Sequence, residues 1–281
     1  MNKLNDLVKF PIDCRSEKPR KTGLSMIIDK GLGFTDFTDL ITLAGNYIDM
    51  VKLGFGTSLL YSDTILRQKI SAARKADIQI FPGGTFFEIT YLQNKTDALY
   101  ELLLDYGFTS IEISDGTIEL PSAKRAAEIK KAKKAGLDVI TEIGKKDPRD
   151  MVEMAVFREQ IKADLEAGAT KVIVEGRESG KGVMLYDQQG AIKEDELEFL
   201  IKNQINIDLL IWEAPLKSQQ HKLINLFGTN VNLGNIAPQE ILALESLRLG
   251  LRGDTLRTLL TKIKSPHDSA LRLLPKLEAL Q

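Results

Sequence analysis

DVITEIG at residues 138–144, followed by KVIVEG at 171–176 and DLLIWEA at 208–214, is the pattern on which the fold turns. Each run is short, rich in β-branched residues and apolar on nearly every position, as in a parallel strand covered on both faces. Working outward, the same signature recurs in LSMIID (24–29), IDMVKLG (48–54), IQIFPGG (78–84), SIEISDG (110–116) and NVNLGN (230–235). Amphipathic helical stretches lie between them. One is capped by Thr96, places Leu99, Leu102, Leu103 and Tyr106 on a face, and ends at Gly107. The stretch through Ile161 and Leu165 stops at Gly168, that through Leu223, Ile224 and Phe227 stops at Gly228, and Gly136 and Gly250 close two more. About eight consecutive βα units predict an α/β fold of the (β/α)8 TIM-barrel type in a single domain. An open doubly wound sheet shares the alternation, but no GxGxxG follows the first strand and no domain break interrupts the units. The barrel is expected over 22–258, with an N-terminal leader at 1–21 and a C-terminal tail at 259–281. The tail sequence KSPHDSALRLLPKLEAL has the pattern of a short helix.

Composition excludes several function classes. With 281 residues and 43% hydrophobic content the chain suits a packed globular protein and not a disordered one. Lys and Arg number 38 against 39 Asp and Glu, a net charge of −1, so no bulk field draws nucleic acid or an anionic membrane. The Lys-rich AAEIKKAKKAG lacks interleaved aromatics and is expected to be a solvated helix face. A single cysteine, Cys14, forms no internal disulfide, which fits a reducing cytoplasm. The first residues lack the apolar core of a secretory signal, and the longest apolar runs are too short to span a bilayer.

Barrel enzymes place their chemistry where strands end, and here those ends are charged. The first strand finishes on Asp29 and Lys30, the second on Lys52, the fourth on Glu112 and Asp115. Glu142 and Lys145 follow on the fifth, Glu175 and Arg177 on the sixth, Glu213 on the seventh, Gly234 and Asn235 on the eighth. Glu142 shares strand parity with Ile140, Glu175 with Ile173 and Glu213 with Ile211, so each carboxylate takes a barrel-facing position near the exit. Carboxylates gathered at one mouth repel one another unless a cation sits among them. An all-oxygen donor set without His or Cys favours Mg²⁺ over Zn²⁺; simple pairing of the charges around the rim is the alternative. Lys145 is a candidate proton donor if desolvation lowers its pKa, and Lys146 is expected to face solvent.

EGRESGKG after the sixth strand offers Arg177, Ser179, Lys181 and flexible glycines to an oxyanion, although its spacing is not that of a P-loop. Asn235 in NLGNI and Arg252 in GLRGDT add to this group near the late strands, where barrels commonly hold phosphate. His221 and His267 are isolated from any strand end and are expected to be bystanders. Trp212, opposite in parity to Glu213, belongs to the packing.

DKGL, DMVKLGFGTS, PGGTFFE, EISDG, TEIGKK, EGRESGKG, EAPLKSQQ, NLGNI and LRLGLRGDT occur in an order that resembles the phosphosulfolactate synthase family, from about Thr22 to Thr255. The resemblance implies a Mg²⁺-dependent lyase that adds sulfite to phosphoenolpyruvate, giving (2R)-phospho-3-sulfolactate through an enediolate. It serves coenzyme M synthesis in methanogens and sulfolactate formation elsewhere. That chemistry fits the residues read above: Glu112, Glu142 and Glu175 are the candidate metal ligands, and Lys145 aligns with the general acid of the family. Arg177, Ser179, Lys181, Asn235 and Arg252 are the candidates for the phosphate and sulfite oxyanions, with Lys30 and Lys52 as auxiliary cations. A homo-oligomer, a compact trimer in the family, is expected. Two alternatives stay open: a related enol-phosphate enzyme with another nucleophile, and a non-catalytic barrel acting in stress tolerance or as a scaffold, as in a plant branch of the family.

Overall fold

The apolar runs become eight parallel strands in a computed structural model that describes residues 3–147, 153–183, 185–202 and 205–263. After a short turn of helix, α1 (Leu4–Leu7), strands and helices alternate. The order is β1 (Ser25–Asp29), α2 (Phe34–Ala44), β2 (Met50–Leu53), α3 (Asp63–Lys75), β3 (Gln79–Pro82), α4 (Gly84–Leu92), α5 (Thr96–Tyr106) and β4 (Ser110–Ser114). It continues through α6 (Ser122–Ala135), β5 (Asp138–Ile143), α7 (Met154–Ala167), β6 (Lys171–Val174), α8 (Glu194–Lys202), β7 (Leu210–Glu213), α9 (Lys217–Phe227), β8 (Leu233–Ile236), α10 (Ile241–Arg248) and α11 (Gly253–Ile263).

The strands hydrogen-bond in the order β3-β2-β1-β8-β7-β6-β5-β4. β3 and β4 therefore face each other across the seam of a nearly closed barrel. Hydrogen bonds span that seam: Gln79 Nε2 on β3 reaches past β4 and donates to Asp138 Oδ2 at the start of β5 at 2.8 Å, and the Gly84 N–H just after β3 donates to Glu112 Oε1 on β4 at 2.7 Å. The barrel interior is filled by Leu24, Met26, Met50, Phe81, Ile140, Ile173 and Ile211. The opposite strand faces pack beneath the helices in a larger core that includes Val51, Ile111, Val139, Val172 and Trp212. Trp212 stacks on Phe227 with ring centroids 5.6 Å apart.

Most helix ends follow the sequence pattern. Gly107, Gly136 and Gly168 terminate α5, α6 and α7 with φ of 93°, 107° and 116°, a left-handed conformation that glycine adopts without a Cβ clash. Thr96 differs from expectation: it is the first residue of α5, whose N-cap is Lys95, and Tyr100 takes the buried position on that helix while Leu102 is exposed. The Tyr100 hydroxyl donates to Glu128 Oε2, which gives the buried ring a polar partner on α6. Lys130, Lys131, Lys133 and Lys134 of α6 are exposed, as a solvated face requires, while Arg125, Ile129 and Ala132 are buried.

The segment before β1 lies across the N-terminal end of the barrel. Arg15 pairs with Glu245 of α10 at 2.9 Å, Arg20 with Asp49 at 3.0 Å, and the Ile12 N–H donates to the Leu249 carbonyl. Arg248 sits buried beneath them and donates to the carbonyls of Thr229, Val231 and Leu24. Burial without a carboxylate in hydrogen-bond contact lowers its pKa to about 9. His221 lies on α9 beside Asn225. His267 and most of the segment read as a tail lie outside the described residues, α11 running to Ile263. Among the described residues no helix is long and apolar enough to cross a membrane.

Candidate active site

One step beyond the apolar interior, the same inward parity brings charge to the C-terminal ends of the strands. Lys52 follows Met50 on β2, Glu142 follows Ile140 on β5, Glu175 follows Ile173 just past β6, and Glu213 follows Ile211 on β7. Glu112 enters from β4. None of these five residues is more than 6% exposed. With Ile28, Phe55, Thr85, Lys146, Arg177, Ser179 and Asn235 they line a cavity of about 370 Å³.

Lys52 is the hub. Its Nζ lies 2.6 Å from Glu142 Oε2, 3.0 Å from Glu112 Oε2 and 3.1 Å from Glu213 Oε1. The other oxygens are held from the loops: Gly176 N–H donates to Glu213 Oε2 at 2.9 Å and Arg177 N–H to Glu175 Oε1 at 2.6 Å. Gly84 donates to Glu112 from a position where a Cβ would stand 2.6 Å from that oxygen, so only glycine lets the backbone come this close. Lys146 reaches in from the loop after β5, its Nζ 3.5 Å from Glu142 Oε1 and 3.3 Å from Thr85 Oγ1.

Four buried carboxylates thus share two ammonium groups, and the imbalance shows in their proton affinities. Burial, reinforced by Glu142 and Glu213, pushes the Glu112 carboxyl up to about 8 although Lys52 opposes it. Burial together with Glu142 and Glu213 raises Glu175 well above the ordinary range. Burial acts on Glu142 too, but Lys52 and Lys146 outweigh it and hold that carboxylate below the ordinary range. Lys52 is raised despite its burial, by the ring of glutamates. Glu142 chiefly raises Lys146. The carboxylates whose oxygens converge, within 4.8 Å of one another, are Glu142, Glu175 and Glu213. Among the described residues nothing donates a hydrogen bond to the buried Glu175 Oε2. An all-oxygen group with an orphaned acceptor and surplus negative charge fits a hard divalent cation.

The structure brings together Lys52, Arg177, Ser179, Asn235, Glu112, Glu142 and Glu175 from the residues expected at the site. The converging carboxylates differ from the expected metal set, because Glu112 is turned to the Gly84 amide and Lys52 and Glu213 stands in its place. Lys145 does not reach the acids of the mouth as expected, whereas Lys146, expected to face solvent, does. The Lys145 ammonium is held by the Asp115 carbonyl at 2.6 Å, Asp115 Oδ2 at 3.1 Å and the Ile118 carbonyl at 2.9 Å, and it does not line the cavity. Lys30 stands exposed at the rim, paired with Glu178 at 2.6 Å. Lys181 and Arg252 are not among the lining residues, and Arg252 lies 3.8 Å from Asp254. Asp29, also charged at a strand end, points outward into a buried ion pair with Lys69 of α3. Asn235 enters the cavity because its φ of 53° turns the backbone at the end of β8, a left-handed conformation that asparagine tolerates.

Glu213, barrel-facing by its parity but outside the expected metal set, and Lys146, expected to face solvent, are the two residues the structure adds to the site. Glu213 carried the same parity signal as Glu142. No strand pattern points to Lys146, because β5 ends at Ile143 and Gly144, with φ of 121°, takes the chain out of alternation.

Fold and mouth together define a (β/α)8-barrel enzyme with a carboxylate-rich ionic pocket at its strand exits. Over residues 13–254 the sequence matches the family described as (2R)-phospho-3-sulfolactate synthase, and the chain belongs to that family. The match begins inside the segment read as a leader. A phosphosulfolactate synthase of Methanothermobacter thermautotrophicus is 43% identical over 244 residues, 86% of this chain and 94% of that protein. That of Methanocaldococcus jannaschii is 45% identical over 236 residues, 83% and 93% of the two chains. Among solved structures, 3-hexulose-6-phosphate synthase from Salmonella typhimurium superposes with a TM-score of 0.51 over 85% of this chain and 99% of its own. At 16% identity that likeness is one of fold alone.

Proposed function

We propose that this enzyme joins sulfite to the methylene carbon of phosphoenolpyruvate, giving (2R)-phospho-3-sulfolactate, with Mg²⁺ as its metal. The observation that carries the reading is the charge balance of the mouth: four buried glutamates against Lys52 and Lys146, with Glu175 Oε2 lacking a donor among the described residues. Glu142, Glu175 and Glu213 would hold the cation. When bound, it supplies positive charge against which the substrate carboxylate can accumulate electron density.

The chain's own groups account for the remaining work. Sulfite brings a lone pair, so no protein nucleophile is required. Attack on the methylene carbon forms the C–S bond and moves the π electrons of the double bond toward the adjacent carbon and its carboxylate. Lys146, an ammonium facing the cavity, then delivers a proton to that carbon and recovers one from solvent. Lys52 keeps Glu142 ionised and holds the carboxylates of Glu142 and Glu213 in place. Arg177 and Ser179, beside the Asn235 amide, offer the cation and hydroxyl suited to the phosphate or sulfonate oxygens. The family implies a homo-oligomer, a trimer, and the lone exposed Cys14 suits a reducing cytoplasm.

The experiment mixes purified protein with phosphoenolpyruvate, sulfite and Mg²⁺, following the enol absorbance and the phosphorus spectrum of the product. Loss of absorbance with a new phosphate-ester signal is expected. No turnover by a protein with a sharp melting transition would overturn the reading. A melting shift with phosphoenolpyruvate and Mg²⁺ but no sulfite consumption would point instead to another nucleophile.

A further inference from the structure

Two adjacent lysines, Lys145 and Lys146, leave the end of β5 and point to different places. Only Lys146 reaches the cavity. The other is tied down by three acceptors, two from Asp115 and the Ile118 carbonyl, all in the loop after β4. That loop is itself anchored. Asp115 Oδ1 accepts from Arg125 Nη1 at 2.9 Å, and the fully buried Arg125 is held by Asp164 of α7 and donates to the Glu142 carbonyl at 2.9 Å. The same guanidinium therefore grips the backbone of β5 and the loop that holds Lys145.

The loop also shapes the path of Lys146. Its N–H donates to the Gly116 carbonyl at 3.1 Å. Its aliphatic stem runs directly over Gly116, where a Cβ would stand 2.9 Å from Cε, 3.1 Å from Cγ and 3.2 Å from Cδ. Those methylenes are the nearest atoms to that position, so a side chain at 116 would push on the lysine stem and not on the backbone.

We propose that Lys145 is a positioning residue which, with Gly116, aims the Lys146 ammonium at Glu142 and the reacting carbon. Lys145 and Lys146 sit side by side in the bend after β5, where Gly144 turns the chain with φ of 121°, so fastening Lys145 to Asp115 and Ile118 fixes the backbone from which Lys146 reaches inward. Gly116 leaves the groove in which the stem lies. Arg125 completes the device by locking the loop to β5. Placement within about an ångström matters for a proton donor, since misplacement on that scale costs up to about 10²-fold in rate.

The inference rests on the reading of Lys146 as the donor, and its test separates the two. Gly116→Ala, Lys145→Met, Lys146→Met and the two double variants with Lys146→Met are compared by kcat, KM, melting temperature and amine labelling. Labelling uses a brief pulse of acetic anhydride, with the acetyl groups located by tandem mass spectrometry. We expect Gly116→Ala and Lys145→Met each to lower kcat about tenfold or more, with KM for phosphoenolpyruvate changed less than about threefold. In the Lys146→Met background neither should lower kcat further, because the residue they aim is gone. Lys146 acetylation, slow in the parent protein, should rise several-fold in both single variants. Unchanged labelling of Lys146, or a full additional loss in the double variants, overturns the proposal. If the parent protein has no synthase activity while the labelling changes as stated, the functional reading falls and the positioning stands.

Discussion

At the scale of single residues, the mouth is governed by the mismatch between buried carboxylates and ammonium groups. In the metal-free protein Glu112, raised to about 8, keeps a proton in the folded state from about pH 5 upward that the unfolded chain, near the ordinary 4.5, gives up. Glu175 acts in the same direction. The folded state then binds more protons than the unfolded one, so stability falls as pH rises across that window. Glu142 works the other way: its stabilising contribution is present above 4.5 and is lost only as pH falls below it. Urea melts of metal-free protein should therefore give a higher midpoint at pH 5.5 than at pH 8, and Glu112→Gln should flatten the difference. A parent profile already flat between those values contradicts this account. The proton donor makes a separate prediction. Lys146→Met should lower kcat by about 10²- to 10⁴-fold while the melting temperature moves little, because the side chain is only half-buried at the rim. A rate within twofold of the parent would remove Lys146 from the chemistry.

At the scale of elements, alternation along the strands carried the most information. Ile140, Ile173 and Ile211 do form the barrel interior, and Glu142, Glu175 and Glu213 follow them inward as their spacing required. Trp212, one residue out of phase, lies in the outer layer. Legibility ended where regular backbone ended. Asn235 depends on a left-handed φ that no residue pattern announces, and Lys145 is drawn aside by carbonyls of a loop thirty positions away along the chain. The hub role of Lys52 was equally hidden, since its three partners come from three other strands. The helix ends were more legible, and α6 tests why. Gly136 caps it with φ of 107°, and nothing stands within 4 Å of where a Cβ would be. Gly136→Ala therefore meets only backbone strain, expected to cost about 1–2 kcal/mol, read as a lower urea midpoint with an unchanged slope. A neutral or stabilising result would show that the cap relaxes to another conformation.

For the whole molecule, the two ends of the barrel divide the labour. The C-terminal end concentrates unbalanced charge around a cavity, an arrangement that disfavours folding in isolation and is useful for binding. The opposite end is where ion pairs and hydrogen bonds are better matched, and much of that matching comes from the segment before β1. Arg15 with Glu245 and Arg20 with Asp49 join it to α10 and to the start of β2, and both pairs are largely buried. Ser16 N–H donates to Asn230 Oδ1, whose amide nitrogen in turn donates to the Cys14 carbonyl. Lys18 Nζ reaches the carbonyls of Gly45 and Ala76 at 3.1 Å each. The first ten residues differ: Leu7 and Val8 are exposed, and the family match starts only at residue 13. A chain shortened by residues 1–10 should accordingly melt within about 3 °C of the parent. Removing 1–21 instead strands Glu245 and Asp49 as buried carboxylates without their guanidinium partners, and breaking one buried pair in this way costs about 3–5 kcal/mol. At about 2–4 °C per kcal/mol for a domain of this size, the longer deletion should lower the melting temperature by more than about 10 °C or abolish soluble expression. Should both truncations melt alike, the segment is a passenger on the barrel and its ion pairs contribute nothing to holding the floor in place.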